Sequence, residues 1–181
     1  MQLPVRTDRL ILRAHTMADL DAWQEMYSDP RFVRYLYDSP LDREGAADSL
    51  RKRLTTDLPE TDGQWLNLGI ELDGRLIGDA GVGIHSRQHR QCEIGYVLAP
   101  AVQGRGFATE AARAMVDLAF THLDAHRVFG RLDGRNEASA RLLERLGMRR
   151  EAHLRENEWI KGEWTDEVIY AITEDEWRRP H

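Results

Sequence analysis

A strand that enters a helix through a glycine-bearing turn is the feature of this sequence that most restricts its fold. The apolar run that starts at Cys92 stops before Pro100, and Gly104 and Gly106 precede a helical pattern over residues 107–123. The first amides of a helix lack intrahelical acceptors and lie at the positive end of its dipole. Glycine allows a positive φ and a close approach of the backbone to a ligand. The segment therefore predicts an α/β unit whose turn can bind a phosphate or a pyrophosphate.

Two well-known phosphate-binding motifs do not match this turn. No Gly-Lys-Ser/Thr follows it, so it is not a P-loop, and the first glycine of a dinucleotide-binding fingerprint is missing. The glycines by themselves fit equally well a turn that needs them only for its own geometry. A second strand-to-helix opening lies at Asn136, whose side chain can accept the Ser139 N–H as an N-cap. If the two strands are parallel neighbours, both helix starts lie at the same edge of the sheet.

The other patterns predict a mixed sheet with helices on both faces. Asp73-Gly74 between two apolar runs is a strong hairpin signal, and Thr16 with Asp19 forms a weak capping box. Period-two or continuous apolar patterns predict strands at residues 9–13, 65–72, 76–84, 92–98, 126–133, 148–155 and 167–172. Three- and four-residue spacing predicts helices at residues 17–28, 42–58, 107–123 and 136–146.

Length and charge restrict the class of protein. The chain has 181 residues, with 25 Lys and Arg against 31 Asp and Glu, which gives a net charge of −6. This length predicts one domain over residues 1–181. The negative charge argues against a nucleic-acid partner, which needs a basic face, and is compatible with a cationic amine substrate. The one cysteine excludes an intrachain disulfide and any multi-cysteine metal site, and it favours a reducing cytoplasm.

No part of the sequence predicts membrane insertion or a bound metal. The N-terminus has no apolar stretch of the kind that a secretory signal needs. The longest uncharged run, over residues 94–104, is shorter than a membrane-spanning helix. His85 and His89 lie four residues apart, but metal binding would need further ligands in register with them.

The two strand-to-helix blocks together resemble the GNAT superfamily of N-acetyltransferases, and they look most like its RimJ/RimL-like branch. Gln103, Gly106 and Ala108 match the superfamily motif Gln/Arg-x-x-Gly-x-Gly/Ala, which binds acetyl-CoA. The block that begins at Asn136 matches the superfamily's second helix, except that Met148 replaces an aromatic residue.

Both ends of the chain extend this resemblance. The opening at residues 7–13 is similar to the first strand of the branch, and residues 157–166 resemble its closing segment. The resemblance spans about residues 7–173, which it identifies as an N-acetyltransferase domain. It implies a single-domain α/β fold with a central, mostly antiparallel sheet that is splayed at the strand facing acetyl-CoA.

The resemblance also implies how acetyl-CoA binds. The amides of the glycine turn hold the pyrophosphate, and the pantetheine arm pairs with the exposed edge of the central strand. The N–H of Val97 or Leu98 is then the oxyanion donor, and Asn136 and Ser139 line the thiol end. The cofactor-binding residues implied in this way are Tyr96, Val97, Leu98, Gln103, Gly104, Arg105, Gly106, Phe107, Ala108, Thr109, Asn136 and Ser139.

The implied reaction is a direct transfer of the acetyl group to a primary amine, without a covalent enzyme intermediate. Many superfamily members use a tyrosine of the second helix as the general acid, but the matching residue here is Leu143. The branch uses the serine of this helix instead, which makes Ser139 the candidate acid. Two residues compete as the general base: Glu158 matches the acidic residue of the branch's closing segment, and Glu93 starts the central strand, where other superfamily members have a glutamate. Glu158 is slightly preferred, and the segment 156–167 around it is rich in acids that would attract a cationic amine.

The branch implies a protein N-terminal α-amino group as the acceptor. A small amine such as an aminoglycoside, polyamine or amino acid is the alternative, and a closed pocket lined by Trp23, Tyr27 and Trp65 would favour it. A wide acidic groove would favour a peptide. A non-catalytic acyl-CoA sensor or scaffold is the third hypothesis, because the usual tyrosine is missing. The resemblance further implies a cytoplasmic homodimer, and nothing in it requires a metal.

Overall fold

The described chain, residues 3–179 of this computed structural model, has more residues in strands than in helices. The strands are β1 (Val5–Arg6), β2 (Ile11–Arg13), β3 (Trp65–Leu72), β4 (Arg75–Ser86), β5 (Gln91–Leu98), β6 (Arg127–Asp133), β7 (Arg149–Ile160) and β8 (Glu163–Thr173). The helices are α1 (Leu20–Tyr27), α2 (Arg43–Arg51), α3 (Phe107–His122), α4 (Glu137–Arg145) and α5 (Glu174–Trp177). No helix within this part of the chain is both long and apolar enough to cross a membrane.

The strands form one sheet of eight, in the order β1-β2-β3-β4-β5-β6-β8-β7. All neighbouring strands are antiparallel except β5 and β6, which run parallel and pair only as far as Glu93 opposite Phe129. Beyond that point β5 continues to Leu98 on β4, whereas β6 continues to Asp133 on β8. The two strands therefore separate, and one edge of β5 is left unpaired. The expected mixed, mostly antiparallel sheet with a splayed central strand is confirmed.

Two apolar clusters hold helices on opposite faces of this sheet. Helices α3 and α4 cover one face, where Ala111, Ala112 and Met115 are fully buried against β4 and β5. Helices α1 and α2 cover the other face, and their cluster includes Trp23 and Tyr27. Both aromatic rings lie in this core, at 0% and 2% exposure, so neither of them lines an acceptor pocket.

The closing hairpin is longer than the sequence pattern predicts. Strands β7 and β8 continue through the acid-rich segment to a tight turn at Lys161-Gly162, whose φ angles are 51° and 85°. The pairing is interrupted between Leu154 and Glu158 by a bulge. A bulge breaks the two-residue alternation of side chains, so the usual strand pattern is absent from this part of the sequence.

Other differences concern the ends of elements. Helix α2 ends at Arg51, well before the predicted residue 58. The short strand β1 and the terminal helix α5 were not indicated by any pattern. The predicted capping box is present, because the Thr16 N–H donates to the Asp19 carboxylate at 2.8 Å.

Glycine at position 78 allows β4 to lie close to the end of β5. A Cβ on Gly78 would fall far inside van der Waals contact of the Val97 carbonyl oxygen, a backbone atom that cannot rotate away. We expect Gly78→Ala to lower the free energy of unfolding by about 1–3 kcal/mol, measured by urea denaturation. Gly95→Ala is the matched control on β5, because its Cβ would meet the Trp65 ring at an ordinary 3.8 Å. Equal stability of both variants with the wild type would contradict this account of the strand contact.

Candidate active site

The turn between β5 and α3 has the conformation that an anion site needs. Gly104 and Gly106 have φ angles of 76° and 83°, in the left-handed region that favours glycine. The Glu110 N–H donates to the Gly106 carbonyl at 3.1 Å, so the amides that precede Glu110 at the helix start have no i−4 acceptor within the helix. A Cβ on Gly104 would meet no atom within 4 Å, so this part of the turn faces open space. These features fit a bound pyrophosphate.

Arg9, in the segment before β2, holds this turn from outside. Its Nη1 donates to the Arg105 carbonyl at 3.0 Å, and its guanidinium pairs with the Glu110 carboxylate at 2.7 Å. Burial alone would raise the pKa of Glu110, but hydrogen bonds from Thr7 and Arg9 hold it below its usual value. Arg9 and Arg105 both lie over the Phe107 ring, at 4.6 and 4.9 Å from its centroid. The sequence analysis did not identify Arg9 as a site residue.

The end of β5 is tied to the same turn. Gln103 Nε2 donates to the Leu98 carbonyl at 2.9 Å, and the Ala99 N–H donates to Ile77 on β4 at 2.9 Å. Alternate residues of a strand direct their N–H groups to opposite sides. The Val97 N–H therefore points to β4, whereas the Leu98 N–H points into the gap between β5 and β6. Of the two predicted oxyanion donors, Leu98 faces the open edge.

Helix α4 and strand β5 each place one hydroxyl group at this gap. The Asn136 side chain accepts the Ser139 N–H at 3.1 Å, as predicted for an N-cap, and Ser139 Oγ lies 2.7 Å from the Tyr96 hydroxyl. Burial raises the pKa of Tyr96 to about 12, although the Ser139 hydrogen bond and the charge of Arg145 lower it. The phenol therefore keeps its proton at neutral pH. Leu143, at the position where the superfamily often has its tyrosine, is buried in the core.

The hydroxyl of Tyr96 was not among the predicted catalytic groups. The sequence analysis assigned Tyr96 only to the exposed strand edge, and its partner Ser139 is 43 residues away along the chain. A tyrosine just before the end of the central strand is the one local signal for this contact.

The predicted carboxylates lie near one another, toward the α1–α2 face. Glu93 pairs with Arg131 at 3.0 Å, and Arg131 also contacts Glu167 at 3.2 Å. Asn157, on the β7 bulge, donates to the other oxygen of Glu167 at 2.6 Å. Burial alone would lower the pKa of Arg131, but Glu93 and Glu167 raise it above its usual value. Glu93 is therefore held by a permanent cation.

Glu158 has a different environment. Its Oε1 accepts a hydrogen bond from the Tyr37 hydroxyl at 2.7 Å, and its strand pairs it with Thr165 on β8. Tyr37 is 65% exposed and belongs to the connection between α1 and α2. A carboxylate bound by a neutral phenol is a better proton acceptor than one bound by a guanidinium.

A cavity of about 230 Å³ adjoins Glu93. The Trp65 ring forms one wall, where it lies over Gly83 so closely that a Cβ there would be 2.5 Å from the indole. Among the three aromatics expected around a small-molecule pocket, Trp65 is the one that lines this cavity. The complete lining is Gly63, Trp65, Ile84, His85, Glu93 and Arg131. A larger cavity, of about 410 Å³, lies between β1 and α3, and its lining contains none of the predicted catalytic residues.

Comparison with known sequences gives a clear family match. Residues 9–149 match the model for the acetyltransferase (GNAT) domain. The uncharacterized N-acetyltransferase YoaA of Bacillus subtilis is 32% identical over 93% of this chain and 95% of its own. The spermidine N(1)-acetyltransferase of Escherichia coli K12 is 24% identical, covering 94% of this chain and 89% of its own. The [ribosomal protein uS5]-alanine N-acetyltransferase of the same organism is 31% identical over 48% of this chain and 44% of its own.

Solved structures support the same relationship. A GNAT-family acetyltransferase from Bacillus anthracis superposes with a TM-score of 0.85 at 28% identity, covering 96% of this chain and all of the other. RimJ of Mycobacterium smegmatis, in complex with CoA-disulfide, superposes with a TM-score of 0.77 at 26% identity, covering 94% of this chain and 84% of its own. The sheet and its splayed strand are thus shared with known acetyltransferases.

The contacts of Arg9 predict that it supports ligand binding from outside the turn. We expect Arg9→Met to weaken CoA binding by about three- to fivefold in a calorimetric titration. The turn then loses a half-exposed ion pair and the hydrogen bond that Arg9 donates to the Arg105 carbonyl. Arg113→Met is the matched control. It also removes one arginine charge, but this arginine belongs to α3 and its guanidinium lies over the Trp177 ring. An equal loss of affinity in both variants would assign the effect to net charge rather than to the turn.

Proposed function

This chain belongs to the GNAT acetyltransferase family and is an acetyl-CoA-dependent N-acetyltransferase; from that premise we propose that its acceptor is the α-amino group of a protein N-terminus. The N-acetyltransferase domain in this proposal is about residues 7–173. The observation that supports direct transfer to an amine is the division of the site by the unpaired edge of β5. Amides and hydroxyls lie toward α3 and α4, and carboxylates lie on the α1–α2 side.

The α3 side would hold the acyl donor. When bound, acetyl-CoA supplies an acyl group that is activated as a thioester. The amides from Gln103 to Thr109 would hold its pyrophosphate, with Arg105 as a side-chain contact. The edge at residues 96–98 would hold the pantetheine arm, and the Leu98 N–H would stabilise negative charge that develops on the carbonyl oxygen.

The α1–α2 side would remove a proton from the amine. An α-amino group has a pKa of about 8, so roughly one tenth is neutral at pH 7, whereas a lysine-like amine at about 10.4 is neutral in only about one molecule in 2,500. Glu158 would accept this proton, directly or through water, because a phenol rather than a guanidinium binds its carboxylate. Glu93 would remain paired with Arg131 and would add negative charge on the acceptor side.

Ser139 and Tyr96 would supply a proton to the leaving sulfur, on the side of the site opposite to the carboxylates. A serine hydroxyl that donates alone must leave a strongly basic alkoxide. The Tyr96 phenol, at 2.7 Å from Ser139 Oγ, can donate to that oxygen as the serine donates to the leaving sulfur. Since its pKa is about 12, Tyr96 is protonated throughout the working range and is the less costly final donor.

A small polyamine acceptor is the second candidate, and two observations favour it. The spermidine acetyltransferase aligns with 94% of this chain. The cavity at Glu93, about 230 Å³ in volume, combines a carboxylate with the rings of Trp65 and His85, which is a chemistry that binds alkylammonium groups.

Cytoplasmic location and a homodimer stay predictions.

An acceptor panel tests the proposed function. Release of free thiol from acetyl-CoA would be measured with peptides that carry different N-terminal residues and with spermidine and spermine. We expect kcat/KM to be highest for peptides and to vanish when the peptide N-terminus is already acetylated. Turnover of polyamines alone would replace the peptide proposal with the second candidate.

Neutralising the two carboxylates separates their roles. We expect Glu158→Gln to lower kcat by about 10²–10⁴-fold, because it removes the proton acceptor, while CoA affinity stays within about twofold. Glu93→Gln is the matched control on the same face, and we expect it mainly to raise the acceptor KM. If Glu93→Gln shows the larger loss of kcat, the general base is Glu93 or a water molecule that it holds.

The two hydroxyls are expected to act as a pair. Ser139→Ala and Tyr96→Phe should each lower kcat, and the double variant should lose little more than Ser139→Ala, because the phenol acts through the serine. Steady-state kinetics at saturating acetyl-CoA would measure this, with CoA affinity as the control for local structure. Full additivity of the two losses would assign Tyr96 a role independent of Ser139.

A further inference from the structure

The connection between α1 and α2 crosses the sheet to the tip of the β7–β8 hairpin. Three contacts hold this connection in place, two to the hairpin and one to the loop between β6 and α4. Lys161 Nζ donates to the Val33 carbonyl at 2.5 Å, and the Tyr35 hydroxyl donates to the Arg135 carbonyl at 3.4 Å. The third is the hydrogen bond from Tyr37 to Glu158 Oε1.

The crossing segment is anchored, so the position of Tyr37 is determined by more than its own hydrogen bond. Phe32 and Val33 are buried at 4% and 2% exposure in the cluster below α1. At the far end of the segment, the Leu41 N–H donates to the Tyr27 carbonyl at 3.0 Å. The Tyr37 ring itself is mostly exposed, and its hydroxyl group makes the contact with Glu158.

Charged groups surround this contact on every element packed against it. Arg131 on β6 and Glu167 on β8 both interact electrostatically with the Tyr37 phenol. Arg131 is also paired with Glu93 of β5. Asp38, beside Tyr37, faces Lys161 at the hairpin turn. Burial and the hydrogen bond to Glu158 raise the pKa of Tyr37 to about 12, so the phenol stays a donor at neutral pH.

We propose that Tyr37 is a positioning residue for acetyl transfer: its hydroxyl holds Glu158 Oε1 and leaves Oε2 to accept the proton of the acceptor amine. This inference rests on Glu158 as the proposed base. The hydrogen bond to Oε1 restricts rotation of the carboxylate, so the second oxygen is held in a constant direction for proton transfer. Because Tyr37 belongs to the α1–α2 connection, the base is oriented when that segment lies against the hairpin.

The test is Tyr37→Phe, which removes one hydroxyl from an exposed ring. Glu158 would be titrated by carbon NMR of glutamate-labelled protein, with Glu158→Gln used to assign its signal. We expect this signal to titrate at higher pH in Tyr37→Phe, because the ionised carboxylate loses the hydrogen bond from the phenol. The acid limb of the kcat/KM profile should move to higher pH by the same amount, since activity needs the ionised carboxylate.

Tyr35→Phe is the matched control. It removes a phenol from the same segment, but that phenol contacts the Arg135 carbonyl rather than a carboxylate. We expect it to leave the titration of Glu158 and the acid limb unchanged. A Tyr37→Phe/Glu158→Gln double variant should be no slower than Glu158→Gln alone, because the phenol acts only through that carboxylate.

The outcomes separate this inference from the proposed function. If Glu158→Gln is nearly inactive but Tyr37→Phe changes neither the titration nor the pH profile, the positioning role is overturned and the base remains. If Tyr37→Phe and Tyr35→Phe shift the limb equally, the contact is structural and the inference also fails. If Glu158→Gln keeps full activity, the proposed base is wrong and the inference is overturned with it.

Discussion

The separation of β5 from β6 beyond Glu93 is the constraint on which the rest of this structure depends. Strand β6 is held by antiparallel pairing to β8 along its whole length, and β5 by pairing to β4. Gly78 of β4 leaves room for the Val97 carbonyl of β5, so this end of β5 stays on β4 rather than on β6. Arg131 reaches back across the gap to Glu93, an ion pair that marks where the strands divide.

This gap divides the chemistry between the two faces of the sheet. Helices α3 and α4 begin at its edge, and their first turns supply amides and the Ser139 hydroxyl to one side. The other side receives Glu93 from β5 and Glu158 from the far hairpin. A sheet that stayed paired to the ends of β5 and β6 would separate these groups, because backbone hydrogen bonds would fill the space between them.

The bulge in β7 shows how an irregularity in the sheet can bring residues to such a site. Without it, the side chains of this edge strand would alternate along the hairpin. The bulge lies between Leu154 and Glu158, and it directs Asn157 to Glu167 while Glu158 faces Tyr37. No period-two pattern accompanies these residues, so the sequence analysis did not extend the strands there. The resemblance to a family closing segment was what drew attention to Glu158.

The sequence by itself determined the features that depend on a few neighbouring residues. The glycine turn, the Asn136 cap, the Asp73-Gly74 hairpin and the order of the longer strands and helices follow from local sterics and hydrogen bonding, and each was predicted. Only the tertiary structure decided the contacts of Tyr96 with Ser139, 43 residues apart, and of Tyr37 with Glu158, 121 residues apart. Such contacts depend on strand register, on the bulge and on how loops cross the sheet. These features depend on how distant parts of the chain pack together, so no local pattern of residues indicates them.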